Sequence, residues 1–193
     1  SLEAKLRLNY NVYLKGIDFR FFGGYSLQES NDFSNRYSWR LAGQNGDHDY
    51  LYDNVLLGRN NNHPNMLSQQ ITNTHGAFKT PTSYSSNKWI LSTNIKIESP
   101  VGPIGIFADA GLYPFTQFTN GTATEKIGVL YDAGIYIHLP KDIFEIYIPL
   151  AFSSEIMKEL EYSQPEIDFW QRIRFMININ QLNPFKMLRE VKP

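Results

Sequence analysis

From its second residue the chain alternates apolar and polar side chains. Leu2, Ala4, Leu6, Leu8, Tyr10, Val12 and Leu14 stand against Glu3, Lys5, Arg7, Asn9, Asn11, Tyr13 and Lys15. A period of two sends successive side chains to opposite faces of a strand. The pattern therefore predicts a strand over 2–15, longer than the usual run of about 5–6 residues. The same alternation predicts strands over 17–28, 37–42, 89–98, 104–113, 126–139, 143–152 and 172–180, with 50–58 as a candidate ninth. The clearest pair is 89–112, two extended segments joined by Ser99-Pro100-Val101-Gly102-Pro103. A helical period fits none of these segments as well. Residues 153–164 are expected to form a loop with at most a short helix. Between 43 and 87 the alternation collapses into turn chemistry such as Gln44-Asn45-Gly46-Asp47-His48-Asp49 and Asn60-Asn61-Asn62-His63-Pro64-Asn65.

One face of each strand is almost purely apolar. The opposite faces mix charges with Gly24, Gly105, Gly111, Gly128, Gly134, Tyr13, Tyr136 and Tyr147. A soluble sandwich or lipocalin-like barrel would solvate its polar faces with Lys, Glu, Thr and Ser. Glycines and tyrosines among charges suit a crowded barrel lumen better. Aromatics near strand ends (Tyr10, Tyr37, Trp89, Phe144, Phe152, Phe169) match interfacial girdles. Long connections at one end and short ones at the other are also normal for an outer-membrane barrel. The expected fold class is all-β, an antiparallel transmembrane β-barrel with 8–9 strands over 1–182, a long loop at 43–87 and a C-terminal tail at 183–193.

Composition narrows the function. A net charge of −1 over 193 residues gives no basic surface for nucleic acid. Without cysteine there are no disulfides, thiolate metal sites or cysteine nucleophile. No run of apolar residues is long enough for a transmembrane helix, whereas a barrel strand needs only about 9–11 alternating residues. The chain opens directly on strand-like alternation, as a mature protein or a piece of a longer one would, and the second is expected. His48, His63, His75 and His138 form no metal-ligand spacing, and no nucleophile elbow, P-loop or dinucleotide fingerprint occurs. No catalytic residue, cofactor or metal is expected in this segment. The inward charges would be Lys5, Arg7, Asp18, Arg20, Arg40, Lys96, Glu98, Asp109, Asp132, Glu145, Arg172 and Arg174. Charges sharing a partly dry lumen must pair, so a bracing salt-bridge network is expected.

The segment Gly105-Ile106-Phe107-Ala108-Asp109-Ala110-Gly111 resembles the F-x-D-x-G strand of BamA-type outer-membrane assembly barrels, and 94–100, ending in proline, is similar to the strand before it. Arg40-Leu41-Ala42-Gly43 lies where that family carries an inward-folding loop, although its V-R-G-[FY] motif is replaced by Gly46-Asp47-His48-Asp49-Tyr50. More closely, the chain is similar to the C-terminal barrel of large Bacteroidota membrane proteins with an aminopeptidase-like (gluzincin) zinc metallopeptidase upstream. The stretches that carry this are 40–43, 49–53, 57–59, His75-Gly76-Ala77-Phe78-Lys79, 107–111 and 173–185. The resemblance implies the last eight strands of a barrel of about sixteen, in the bacterial outer membrane. It implies a module that anchors a larger protein and contacts lipid and other outer-membrane or periplasmic proteins. The alternatives are a protein-insertion or translocation barrel, and a stand-alone eight-stranded porin-like or adhesion barrel. For the loop, Asp47 or Asp49 is expected to meet Lys96, and Arg59 to meet Asp109, with Arg40 at the loop's start.

Overall fold

The computed structural model describes residues 1–10, 15–27, 38–45, 49, 54–58, 66–100, 102–119, 122–139, 143–162 and 168–178. Seven strands form one antiparallel sheet. They are β1 (Leu2–Asn9), β2 (Gly16–Tyr25), β5 (Trp89–Glu98), β6 (Ile104–Thr119), β7 (Thr122–His138), β8 (Phe144–Phe152) and β9 (Arg174–Ile177), paired in that order. The sheet is open: among the described residues β1 and β9 are its two edges. Two further strands, β3 (Trp39–Arg40) and β4 (Ser85–Ser86), make a small ladder of their own.

The 89–112 pair forms as the alternation predicts, with Leu91 opposite Leu112 and Glu98 opposite Gly105. Several expectations need correction. The strand expected over 37–42 shrinks to β3 and leaves the sheet, because Leu41 turns into the core and its N–H bonds Tyr84. In the candidate ninth strand, described residues 54–58 are not extended in any ladder, and 50–53 lie outside the described residues. Arg172 ends a short helix, α2 (Phe169–Arg172), rather than starting the last strand, and Phe169 sits in that helix rather than at a strand end. Residues 154–162 form a full helix, α1 (Ser154–Tyr162), which buries Ile156 and Leu160 one turn apart. The tail at 183–193 lies outside the described residues.

The two faces of the sheet are inverted relative to a water-soluble domain. Ile127 is 62% exposed, Val129 60% and Ile106 55%, with Leu91, Phe21 and Leu150 also exposed on that side. The opposite face buries Arg20 at 5%, Asp109 at 2% and Asp132 at 1%. Buried apolar residues are not missing: Phe22, Leu41, Phe78, Ile90, Tyr113, Leu130, Ile156 and Leu160 cluster on the charged face, beneath the loop and α1.

The connections separate by length. Those between β1 and β2, β5 and β6, and β7 and β8 are short, whereas residues 26–88 and 153–173 make long excursions at the other end. At that end β6 and β7 run past their neighbours as a two-stranded ribbon. β5 pairs β6 only as far as Leu112, while β6 and β7 continue to Thr119 opposite Thr122.

Close approach fixes Gly105. A Cβ there would lie 2.3 Å from the Tyr136 ring and 2.5 Å from the Ile97 carbonyl oxygen. We expect Gly105→Ala to destabilise the sheet by about 1–3 kcal/mol through overpacking. The check is the denaturant midpoint of the solubilised protein, which should fall with an unchanged transition slope.

Candidate functional site

The loop between β2 and β5 does not hang away from the sheet. One described stretch of it, 66–86, crosses the charged face. Met66–Gln69 forms one 3-10 turn, and Ile71 N–H then bonds the Phe175 carbonyl at 2.9 Å, covering part of the free edge of β9. Gln70, 2% exposed, receives Leu57 N–H on its Oε1 and donates its Nε2 to the Val55 carbonyl. Residues 40–44 run alongside, with Gly43 N–H on the Phe78 carbonyl, Phe78 N–H on the Leu41 carbonyl and Gly76 N–H on the Arg40 carbonyl.

The tightest bend is His75-Gly76-Ala77. His75 and Ala77 both hold left-handed backbone, φ 52° and 55°, which non-glycine residues seldom adopt unless their surroundings impose it. Gly76 is pressed so closely on Leu41 that a Cβ would lie 2.5 Å from its carbonyl oxygen. The surrounding bonds supply the constraint. Asn94 Nδ2 donates both to the Gly76 carbonyl and to Asp109 Oδ1, each at 2.9 Å. Arg20 spreads its donors over Asn94 Oδ1, the His75 carbonyl and Glu3 Oε1 at 2.7–2.8 Å.

Beyond the bend the loop is latched by charge. Lys79 N–H and Nζ both reach Asp109 Oδ2, at 3.2 and 3.4 Å. The ammonium also donates to the Ala77 carbonyl and sits 5.1 Å from the centre of the Tyr147 ring. Thr80 N–H donates to Asp132 Oδ2 at 2.6 Å. Farther on, Thr82 and Ser83 both donate to Glu159 of α1 at 2.6 Å, so the helix clamps the loop from its other side.

The expected anchors are thus partly redistributed. Asp109 does hold the loop, but through Lys79; Arg59, its expected partner, lies outside the described residues, as does Asp47. Lys96 meets Glu145 at 2.7 Å instead of Asp49, because Glu145 on β8 shares its face and is braced by the Tyr147 hydroxyl. Asp49 is buried within the loop itself, receiving Asn54 N–H at 3.2 Å and Asn54 Nδ2 at 3.3 Å. Arg40 is half-buried. Its N–H donates to His75 Nδ1 at 3.3 Å, and burial depresses its guanidinium. Part of the expected pairing of inward charges is present among the described residues: Arg7 bridges Asp18 and Glu98, Arg20 meets Glu3, and Lys96 meets Glu145, whereas Arg40, Arg172 and Arg174 make no ion pair there.

Beside the latch lies a cavity of about 790 Å³ bounded by Arg7, Arg20, Asn94, Lys96, Glu145 and Tyr147. Among the described residues no three His, Cys, Asp or Glu side chains come together as metal ligands. Among the described residues the arrangement binds a loop and leaves a cavity beside it.

Compared with family models, curated proteins and solved structures, the chain has no significant match.

Two outcomes test the latch. Lys79→Met should cost about 3–5 kcal/mol, since it strands a buried carboxylate, whereas Lys5→Met, at the exposed pair with Glu3, should cost under about 1 kcal/mol. Thermal unfolding of the solubilised variants distinguishes them. His75 is held below its ordinary value by burial first and then by the Arg40 and Arg20 charges. Its contribution to stability is therefore complete above about pH 6.5 and is lost as pH falls through the depressed value. Protease nicking of the loop should rise over that acid limb, and His75→Gln should flatten it.

Proposed function

We propose that this chain is the membrane-spanning part of an outer-membrane β-barrel, plugged on its inner side by its own loop and serving to anchor a larger protein. The observation that carries this reading is the inversion of the faces. Leu, Ile, Val and Phe cover the exposed side of the sheet while ion pairs fill the buried side. Water would penalise that arrangement over so wide an area; lipid favours it. No helix among the described residues is long and apolar enough to cross a membrane, which leaves strands as the spanning elements.

The asymmetry of the connections orients the reading, with short turns on the periplasmic side and the loop, ribbon and α1 outside. An all-antiparallel barrel closes on itself with an even number of strands. Seven strands are described in the sheet, so closure takes further strands, in keeping with the barrel of about sixteen that the resemblance implies. On the same resemblance, the anchored part is a zinc metallopeptidase.

One observation favours a second reading, protein insertion or translocation. The loop is latched on Asp109, the acidic residue of the strand that resembles the assembly-barrel motif.

Single arginines on the exposed face test membrane residence. Ile106→Arg and Val129→Arg should each cost about 2–4 kcal/mol when placed mid-bilayer, and the protein should fall out of the carbonate-resistant membrane fraction. If both variants fold as well as the parent and stay soluble, the face is not in lipid.

A further inference from the structure

We propose that Asp132, buried opposite Asp109, holds a proton, and that this proton is part of the latch that keeps residues 76–80 on the sheet. The idea depends only on the buried latch and stands whether or not the sheet lies in a bilayer.

The register places the two carboxylates directly opposite each other on β6 and β7. Both are on the charged face and at most 2% exposed. Residues opposite in adjacent antiparallel strands have Cβ atoms about 4.5–5.5 Å apart, so the two acids are immediate neighbours. One ammonium serves them, Lys79, bound to Asp109 Oδ2. Among the described residues the other cations of this face are committed elsewhere or stand farther along the strands. Lys96 is bound to Glu145, and Arg20 is bound to Glu3, with its remaining donors on Asn94 and the His75 carbonyl. Arg174 stands opposite Tyr147, which in turn stands opposite Tyr136, four residues along β7 from Asp132. From α1, Glu159 adds only negative charge, already received by Thr82 and Ser83. Among the described residues, two buried carboxylates therefore face one cation.

The hydrogen bonds show where the proton belongs. Asp109 is saturated, with Asn94 on Oδ1 and Lys79 on Oδ2. Asp132 uses Oδ2 for Thr80 N–H, while its buried Oδ1 has no partner. The Thr80 hydroxyl is buried beside the same carboxylate. A proton on Asp132 Oδ1 makes that atom a donor toward the Thr80 hydroxyl while the Thr80 N–H keeps its bond to Oδ2. It also leaves one negative charge for one ammonium. Like charges at this separation do not both ionise in a dry site. Raising the pH transfers the proton from Asp132 to solvent, leaves a second carboxylate charge facing the single ammonium, and loosens residues 76–80.

Infrared titration of the detergent-solubilised protein reads this directly. At neutral pH the native protein should show a protonated-carboxyl C=O stretch that disappears at alkaline pH, together with faster amide exchange at residues 76–80. Asp132→Asn replaces a neutral acid by a neutral amide of the same shape. It should fold, lack that band, and keep the loop protected at alkaline pH. Glu125→Gln, on the exposed ribbon, should retain the band. The proposal is overturned if the native protein shows no such band at neutral pH, if Asp132→Asn keeps it, or if Asp132→Asn fails to fold.

Discussion

A sheet that turns its charges inward can exist only if those charges are satisfied, and here one loop supplies most of the satisfaction. Asn94, Asp109 and Asp132 stand on three neighbouring strands, buried on the same face, and each receives a group from residues 76–80. Without that segment the three side chains would face the cavity with their polar atoms open, and a buried unpaired carboxylate is among the costliest features a protein can carry. The left-handed backbone at His75 and Ala77 follows from the same requirement. The chain must present a carbonyl, two N–H groups and an ammonium to one wall within five residues, and an ordinary extended segment cannot do so.

The other face has the opposite character. It is mainly apolar, with alanines at positions 108, 110 and 133 between the larger side chains. β6 and β7 continue past their neighbours as a ribbon carrying Glu125, which meets Lys88. Division of labour between the faces explains where the apolar core went. Leu41, Phe78, Ile156 and Leu160 come from the loop and α1, not from the outward side of the strands.

Much of this was legible in the sequence. The period-two pattern located the strands of the main sheet and assigned its inward charges apart from Arg40 and Arg172, which lie outside that sheet, because side-chain direction in a strand depends on little beyond position parity. What the pattern could not convey was contact between segments far apart in the chain. Lys79 lies in a stretch with no periodicity, so nothing local marked it as the partner of Asp109. Arg59 was the expected partner of Asp109, and Asp47 or Asp49 that of Lys96, because the resemblance implies an inward-folding loop anchored by charge. Glu145 and Lys96 were each placed inward, yet their pairing follows from strand order, which a list of strands does not contain. The helix at 154–162 was obscured by its charged exposed side, with only Ile156 and Leu160 buried. Residues 39–40 carried a strand pattern and left the sheet because Leu41 found a better site against Phe78.

The central claim is that the aliphatic face meets lipid. The chain contains no cysteine, so single cysteines carrying a spin label can be placed along β6 without background. In the membrane-reconstituted protein, labels at Ile104, Ile106, Ala108 and Ala110 should be relaxed by oxygen and shielded from a water-soluble paramagnetic agent, while a label at Thr116 on the ribbon should show the reverse. Labels at the first four positions that respond to the water-soluble agent as Thr116 does, or that are shielded from both agents, would contradict the account.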